Sequence, residues 1–261
     1  HSLRGGMGCS SMAVNLAIAW NQIWEKPTLV IDSVLNAGQI ALMFNATPHH
    51  SWEDLADVQL NDIDTSVIET LTTSHPSGVK FIAAPSFPIA TDSLSDDTWL
   101  VALEELRNIF EFIVIDTSHD FSNASIHMLN AADQVLLMLA PEMASIRASV
   151  CALNIYGKLG FSDEKISLVL NQVTPQSGIK QAQVEKVLKR QIGYTIPYAP
   201  TEFTRAINFG EPFVLTNPDS PITTLFEDIA FAFSKEALKN IPPAAPSATW
   251  KRLTNRMTQK K

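Results

Sequence analysis

Six short apolar runs, rich in β-branched residues, are spread along the chain and are separated by longer amphipathic segments. The runs are TLVID, VKFIAA, EFIVID, QVLLML, KISLVL and YTIP, at 28–32, 79–84, 111–116, 134–139, 165–170 and 194–197. FIVI and VLLML are apolar at every position, which is typical of parallel strands buried on both faces. The alternation predicts a doubly wound α/β fold, with a mostly parallel sheet and helices on both faces.

Helical periodicity fills the intervals between these strands. The predicted helices are 10–24, 64–74, 98–109, 122–131, 143–159, 180–190, 201–208 and 221–240. A chain of 261 residues that is 46% hydrophobic can bury the core of one large domain, which we place at 1–241. Prolines in NIPPAAPSA fix φ and remove donors, so 242–249 is predicted as a linker before a tail at 250–261.

A glycine-rich segment, RGGMGCSS at 4–11, runs into the first predicted helix. The generic phosphate loop, G-x-x-x-x-G-K-[ST], binds phosphates through backbone amides and a lysine, and Mg²⁺ through the hydroxyl. Cys9 stands where that lysine is expected. The glycines and hydroxyls that fit the pattern are Gly5, Gly6, Gly8, Ser10 and Ser11. A phosphate loop follows a strand, and only three residues precede Arg4, so we expect the first strand to be truncated.

Three polar residues end predicted strands, at the edge where open α/β sheets bind ligands. Asp116 follows four apolar residues, as does a carboxylate that is presented to Mg²⁺. Asn171 suits a hydrogen bond to an adenine edge, although alone it also fits a turn. Asp32 ends the first run; it and Asp116 are the candidate catalytic residues, each with helix capping as the alternative.

The net charge of −8 is unevenly distributed. The last twelve residues, WKRLTNRMTQKK, hold five cations and no acid, so the rest of the chain carries −13. Such a body lacks the clustered basic face of a nucleic-acid-binding protein, and we expect no specific nucleic acid partner. Trp250, Leu253 and Met257 recur at helical spacing, so the tail is either a basic amphipathic helix with weak affinity for anionic membranes or a solvated, disordered segment.

No apolar run approaches the roughly 20 residues of a membrane span. Cys9 and Cys151 give no disulfide framework, and no signal-peptide pattern is present, so we expect a cytoplasmic protein, peripheral at the inner membrane face if the tail binds lipid. The histidines are His1, His49, His50, His75, His119 and His127. We expect none of them to pair with carboxylates or cysteines at helical spacing, so they are predicted as loop or surface residues and not as metal ligands.

Several ordered blocks resemble the MinD/ParA-like ATPases, and most of all their pilus-assembly branch, called CpaE or TadZ. The blocks are SLRGGMGCSSMAVNLA, HPSGVKFIAAP, FEFIVIDTSHDFS, AADQVLLMLAPEMASIRAS, ISLVLNQV and IPYAPTEFTRAINFGEPFV. The resemblance extends from residue 1 to about residue 240. It implies a P-loop NTPase fold of the SIMIBI, MinD-like type that binds ATP or ADP with Mg²⁺ and forms a homodimer. It also implies a role in placing or assembling a Flp/Tad-type (type IV) pilus or a related secretion machine.

The resemblance also implies roles for individual residues. The nucleotide would contact Arg4, Gly5, Gly6, Met7, Gly8, Cys9, Ser10, Ser11 and Asn171. Ser10 and Asp116 would hold Mg²⁺. Arg4 stands at the family's signature lysine, which reaches across the dimer to the partner's nucleotide; arginine also binds phosphate, with a different geometry.

Two departures from the family pattern bear on turnover. The acidic pair D-x-D appears here as Asp32-Ser33-Val34, and the cationic clamp is replaced by Cys9. Phosphoryl transfer depends on positioning and charge stabilisation, so we expect nucleotide binding with little or no hydrolysis. An active ATPase switch and a nucleotide-independent adaptor are the alternatives; a partition protein is disfavoured by the acidic body. Cys9, at a helix N-terminus, is either a small turn residue or a thiol of lowered pKa.

Overall fold

The computed structural model describes residues 1–87, 94–175, 178–243 and 245–259. Six of the seven strands in these ranges lie at the predicted apolar runs, and the seventh, at 72–74, was not predicted. The strands are β1 (Thr28–Asp32), β2 (Thr72–Ser74), β3 (Lys80–Ile82), β4 (Phe112–Asp116), β5 (Val135–Leu139), β6 (Ile166–Asn171) and β7 (Tyr194–Ile196). They pair in the orders β2-β3-β1-β4 and β5-β6-β7, and every pair is parallel except β2–β3. The predicted α/β fold with a mostly parallel sheet is confirmed.

The helices cover the strands and bury their apolar faces. They are α1 (Cys9–Trp24), α2 (Ile40–Met43), α3 (Thr65–Leu71), α4 (Asp96–Ile109), α5 (Asn123–Ala131), α6 (Met143–Lys158), α7 (Gln181–Leu188), α8 (Pro200–Phe209), α9 (Phe213–Thr216), α10 (Pro221–Ala232), α11 (Glu236–Lys239) and α12 (Ala248–Gln259). Single 3-10 turns occur at Trp52–Leu55, Leu60–Asp62 and Asp163–Lys165. None of the helices in these ranges is both long and apolar enough to cross a membrane.

The first residues of the chain pair with the edge strand β5. The His1 amine donates to the Leu136 carbonyl at 3.0 Å, and the Met138 amide donates to the His1 carbonyl at 2.9 Å. This is the bonding pattern of a parallel strand. An apolar cleft of about 490 Å³ lies between β4 and β5, with α1 on one side. The glycine-rich loop that follows Ser2 therefore starts where a parallel strand would end, at the carboxyl edge of the sheet.

Two predicted helices end earlier than the sequence indicated. The helix predicted at 64–74 stops at Leu71, and residues 72–74 form β2, because Thr72 and Thr73 are β-branched and pair antiparallel with β3. The helix predicted at 221–240 is interrupted after Ala232. There the Ser234 hydroxyl donates to the Ala230 carbonyl and accepts from two tryptophans of α1. These bonds give the indole N–H groups of the two tryptophans a partner at the point where the helix is interrupted.

The basic tail forms α12, which packs against α1 and α10. Trp250 and Leu253 are buried in this contact. Glu227 of α10, only 1% exposed, is paired with Arg252 and with Arg256, each at 2.7 Å. Trp250 and Leu253, whose helical spacing suggested a membrane-binding face, are therefore buried against the protein itself. Two cations of the tail pair with a buried carboxylate.

Replacing Arg252 and Arg256 together with alanine is expected to lower the free energy of unfolding by about 3 kcal/mol, because it leaves the buried Glu227 charge without a partner. Thermal unfolding should show a midpoint lower by about 6–12 °C. Lys251→Ala, an exposed position in the same helix, is the matched control and should change little. An unchanged midpoint in the double variant would contradict the proposed stabilising role of the ion pairs.

Candidate functional site

The glycine-rich loop has a backbone that only glycine adopts without strain. Gly6 and Gly8 have φ values of 77° and 89°. Gly8 is the N-cap of α1, and its carbonyl accepts the first helical hydrogen bond, from Met12 at 2.9 Å. The free N–H groups of the first turn of α1 therefore lie at the end of the loop, where the helix dipole also favours an anion.

Asn171, at the end of β6, packs directly on the loop. Its amide nitrogen donates to the Met7 carbonyl at 3.1 Å. A Cβ atom at Gly8 would lie only 2.9 Å from that nitrogen. The sequence suggested that Asn171 contacts adenine. In the structure its side chain also stabilises the backbone of the glycine-rich loop through this hydrogen bond. The close approach also explains why the third glycine is required.

Asp116 lies at the end of β4, level with Asp32 on β1, and is 2% exposed. Burial raises the pKa of its carboxyl group, and a hydrogen bond with the Ser10 side chain acts in the opposite direction. The Oδ2 atom is buried and has no hydrogen-bond partner among the described residues, and neither has the Thr117 hydroxyl beside it. An unpartnered buried carboxylate oxygen beside a serine hydroxyl fits a hard cation such as Mg²⁺.

The carboxylate of Asp32 accepts hydrogen bonds from the backbone of the loop that follows β1. Its two oxygens accept from the amides of Val34, at 3.2 Å, and Ile40, at 3.0 Å. A Cβ atom at Gly38 would lie 2.4 Å from Oδ2 and 2.2 Å from the Ala84 Cβ, so the loop after β1 is folded tightly around this carboxylate. Asp32 therefore organises the segment 33–39, and the partly exposed Val34 stands where the family has its second acid.

Cys9 is the first residue of α1 and is 7% exposed. Burial raises the pKa of its thiol, so the side chain is neutral near pH 7. The interpretation as a thiol of lowered pKa is wrong, because desolvation outweighs the effect of the helix N-terminus. Cys9 also contributes no charge to the loop, in contrast to the lysine of the generic pattern.

Arg4 has a carboxylate partner within its own chain. Its Nη2 lies 2.9 Å from Oε1 of Glu142, at the start of α6. Both side chains are more than a third exposed, and an ion pair of this kind contributes about 1 kcal/mol or less. Arg4 is therefore held near the loop by a bond weak enough to exchange for another anion. The pairing was not foreseeable from sequence, since Glu142 is remote along the chain.

The histidines differ from the prediction in two respects. The expectation that none pairs with a carboxylate at helical spacing is wrong, because His50 Nδ1 lies 3.6 Å from Asp54, four residues further along the chain. His119 is exposed in the loop after β4, as predicted. His1 is buried, and its ring contacts Tyr156. His127 lies in α5, mostly buried, with Nε2 3.0 Å from Asp96. For His127 the prediction of a loop or surface position is wrong, whereas His1 lies in irregular structure as predicted but is buried; in both cases neighbouring groups supply polar partners that make burial of an imidazole tolerable.

Without nucleotide, stability should fall as pH rises from about 4 to 7. Burial first, and then the charge of Asp116, raise the pKa of Asp32 from 3.8 to about 7. Within this window the folded state keeps a proton that the unfolded state releases, so the loss amounts to about 4 kcal/mol by pH 7. Urea unfolding at pH 4.5 and 7.5 measures it. Asp32→Asn should flatten the profile, whatever its effect on absolute stability; an unchanged slope would contradict the assignment.

Comparison with known proteins agrees with this geometry. A sequence model of the family described as cellulose biosynthesis protein BcsQ matches residues 1–184, more than half of the chain. The septum site-determining protein MinD of Thermotoga maritima is 25% identical over 235 residues, covering 87% of this chain and 83% of that protein. The antiactivator FleN of Pseudomonas aeruginosa is 22% identical over 200 residues, covering 75% and 69%.

Solved structures match the fold over most of its length. The ParA family ATPase of Chlorobium tepidum has a TM-score of 0.80 at 21% identity, covering 88% of this chain and 96% of that one. MinD of Pyrococcus horikoshii, complexed with Mg-ADP, has a TM-score of 0.76 at 17% identity, covering 92% and 96%. The narrower assignment to the CpaE/TadZ branch stays a prediction. The chain belongs to the BcsQ family, and its fold matches the known structures of MinD and ParA-family ATPases.

Proposed function

We propose that the protein binds ATP or ADP with Mg²⁺ in the loop at 4–11. The observation that carries this proposal is the buried, unpartnered Oδ2 of Asp116 beside Ser10, next to a glycine loop that opens onto the first turn of α1. Backbone N–H groups of the loop would bind the phosphates, and Ser10 and Asp116 would hold the cation. Asn171 is proposed to contact the adenine from the loop side. The Mg-ADP complex of MinD from Pyrococcus horikoshii supports the choice of ligand.

We further propose that binding is accompanied by little or no hydrolysis. A bound Mg²⁺ would supply charge stabilisation to a transferring phosphoryl group. The chain's own residues supply less than the family pattern does, since Cys9 is a neutral thiol and Val34 accepts no hydrogen bond from water. Appreciable turnover by the unmodified protein would favour the alternative of an active ATPase switch. Absence of nucleotide binding would favour the structural adaptor.

Exposed apolar side chains follow four strands at the carboxyl edge of the sheet. Each follows a parallel strand, so their backbone positions meet at that edge. They are Phe87, Met143, Val173 and Tyr198, after β3, β5, β6 and β7. An apolar rim of this kind is typical of an interaction surface. We propose that it is the contact face of a homodimer in which the two loops face each other. Arg4 of each chain would then be able to reach the nucleotide bound by its partner.

Light scattering with Mg-ATP is expected to give a mass twice that of the chain. Met143→Asp, which places a charge on a side chain that is 70% exposed, should return the mass to that of a monomer. Leu100→Asp on the outer surface of α4 is the matched control, because Leu100 is similarly exposed but lies outside this edge. A monomer under all conditions, or equal dissociation by both variants, would count against the proposed face.

For the cellular role, we propose a localisation or assembly factor for a membrane-bound export machine. The BcsQ family description favours the machinery of cellulose biosynthesis. Pilus assembly of the Flp/Tad type, suggested by the sequence resemblance, is the second candidate. Deleting the gene and measuring cellulose output and surface pili in the same strain tests both. Loss of cellulose alone supports the first, loss of pili alone the second, and loss of neither contradicts the proposal.

Membrane contact through 250–261 would require α12 to leave its site on α1 and α10. We propose that such contact, if it is used, is weak while Trp250 and Leu253 remain buried. Sedimentation with anionic liposomes should therefore pellet little of the intact protein and more of a Glu227→Ala variant, which releases Arg252 and Arg256 and keeps every cation of the tail. Strong, salt-sensitive pelleting of the intact protein, abolished by deleting 248–261, would contradict the docked arrangement.

A further inference from the structure

Besides Arg4, a second basic side chain lies beside the glycine loop. It belongs to the segment after β4 and not to the loop, where the generic pattern has its lysine. His119 is three residues beyond Asp116, in the segment that leads from β4 to α5. Its imidazole lies against the first glycine of the loop. A Cβ atom at Gly5 would be 3.5 Å from Cδ2 and 3.6 Å from Nε2 of the ring. The ring therefore lies beside the loop, with room for no more than a methyl group between them, although the two are more than 100 residues apart in sequence.

The orientation of the ring is fixed by one hydrogen bond. His119 Nδ1 lies 3.0 Å from the Ser2 carbonyl oxygen. A carbonyl oxygen only accepts, so Nδ1 carries a proton and donates it. The other ring nitrogen, Nε2, is on the side of Gly5 and forms no hydrogen bond with any residue in the described ranges. Once Nε2 is protonated, it becomes a cationic donor directed at the loop.

His119 lies near two aspartates. A positive charge on His119 opposes the rise in the pKa of Asp116 that burial causes. The same charge also attracts the carboxylate of Asp120. The loop itself supplies little positive charge for a phosphate, since Cys9 is neutral and Arg4 is paired with Glu142. A phosphate bound in the loop would add negative charge on the side that Nε2 faces.

We propose that His119 is a phosphate-binding residue, whose Nε2 donates to the bound polyphosphate and takes over part of the charge that Cys9 removes from the loop. This inference rests on the proposed nucleotide-binding function and deepens it. The compensating cation would lie in the segment that follows Asp116. A hydrogen bond from His119 would therefore connect this segment directly to the bound phosphate. Loss of one charge in the loop is thereby offset by a group that the loop sequence alone does not reveal.

The test measures binding and not turnover. Titration calorimetry of the full chain with Mg-ATP, and separately with sodium tripolyphosphate, gives the two affinities. His119→Ala should weaken both by about 10-fold or more, the effect of losing a charge-assisted hydrogen bond. His119→Lys should keep both within about 3-fold of the parent, because it restores a cationic donor. His50→Gln, an exposed histidine paired with Asp54, is the matched control and should bind like the parent.

The outcomes separate this inference from the function on which it rests. Unchanged affinity in His119→Ala, or a His119→Lys variant that binds as weakly as the alanine variant, overturns the role of His119 and leaves nucleotide binding intact. Tripolyphosphate binding that depends on His119 without any ATP binding supports the residue and overturns the nucleotide. No binding of either ligand by the parent overturns both. Equal unfolding midpoints of the ligand-free variants exclude a merely structural effect.

Discussion

Asp116→Asn is expected to weaken Mg²⁺-dependent nucleotide binding by about 30-fold or more, and to stabilise the ligand-free protein. The two effects have one cause. Asp116 is a buried carboxylate with an oxygen that lacks a partner, and burial raises its pKa, so its charge is costly until a cation arrives. The neutral amide removes that cost but offers a poorer ligand for Mg²⁺. Calorimetry with Mg-ATP and thermal unfolding measure the two effects.

EDTA provides the control for this prediction. Without Mg²⁺ the parent and Asp116→Asn should bind nucleotide with similar affinity, because the loop amides are unaffected. Asp57→Asn, at an exposed position between the 3-10 turns at Trp52–Leu55 and Leu60–Asp62, should behave like the parent in Mg²⁺. If Asp116→Asn lost stability and kept its Mg²⁺-dependent affinity, the carboxylate would be a structural residue of β4 and not a cation ligand.

Cys9→Lys combined with Val34→Asp is expected to raise ATP turnover by about 100-fold, which corresponds to about 3 kcal/mol of barrier. The lysine would restore a cation at the first residue of α1, and the aspartate would restore the second acid beside Asp32. Each single change should give less than half of this effect on the free-energy scale, because groups that act on one transition state are not additive. Phosphate release at saturating Mg-ATP is the measurement.

The matched control is Cys9→Ala with Val34→Ala, which alters both positions without restoring either charge. It should show turnover no higher than that of the parent. Appreciable hydrolysis by the parent that is abolished by Asp116→Ala would contradict the interpretation of the two departures. A double lysine and aspartate variant that binds ATP but hydrolyses it no faster than the parent would do the same.

The sequence predicts the part of the fold that repeats a long pattern. Apolar runs such as FIVID and VLLML specify parallel strands because burial on both faces leaves little room for polar side chains. Short elements are not predicted in this way: α2, α9 and the three-residue β2 are too short for a hydrophobic period to repeat, so tertiary contacts decide them. The amphipathic pattern of α12 was visible, but not the surface of α1 and α10 that covers its apolar face.

The candidate site was predicted to a similar extent. Strand-terminal Asp116 and the glycines of the loop carry their own signal, because position in the strand and residue type fix where they lie. Thr117, His119 and Glu142 were missed, although each lies close behind the end of a parallel strand. What brings them to the loop is the long-range pairing of the sheet, which no local pattern encodes. The partner of Arg4 is the clearest case, since only the fold brings α6 to it.

Titration calorimetry of the unmodified protein with Mg-ATP and Mg-ADP tests the central claim most directly. The account predicts a saturable heat for one site per chain, with a Kd below about 1 mM, and with affinity reduced by EDTA and by Asp116→Asn. The sample must be folded, as judged by a cooperative unfolding transition in the same buffer. A flat titration by such a sample, with either nucleotide at millimolar concentration, would contradict the nucleotide site and leave the adaptor as the remaining function.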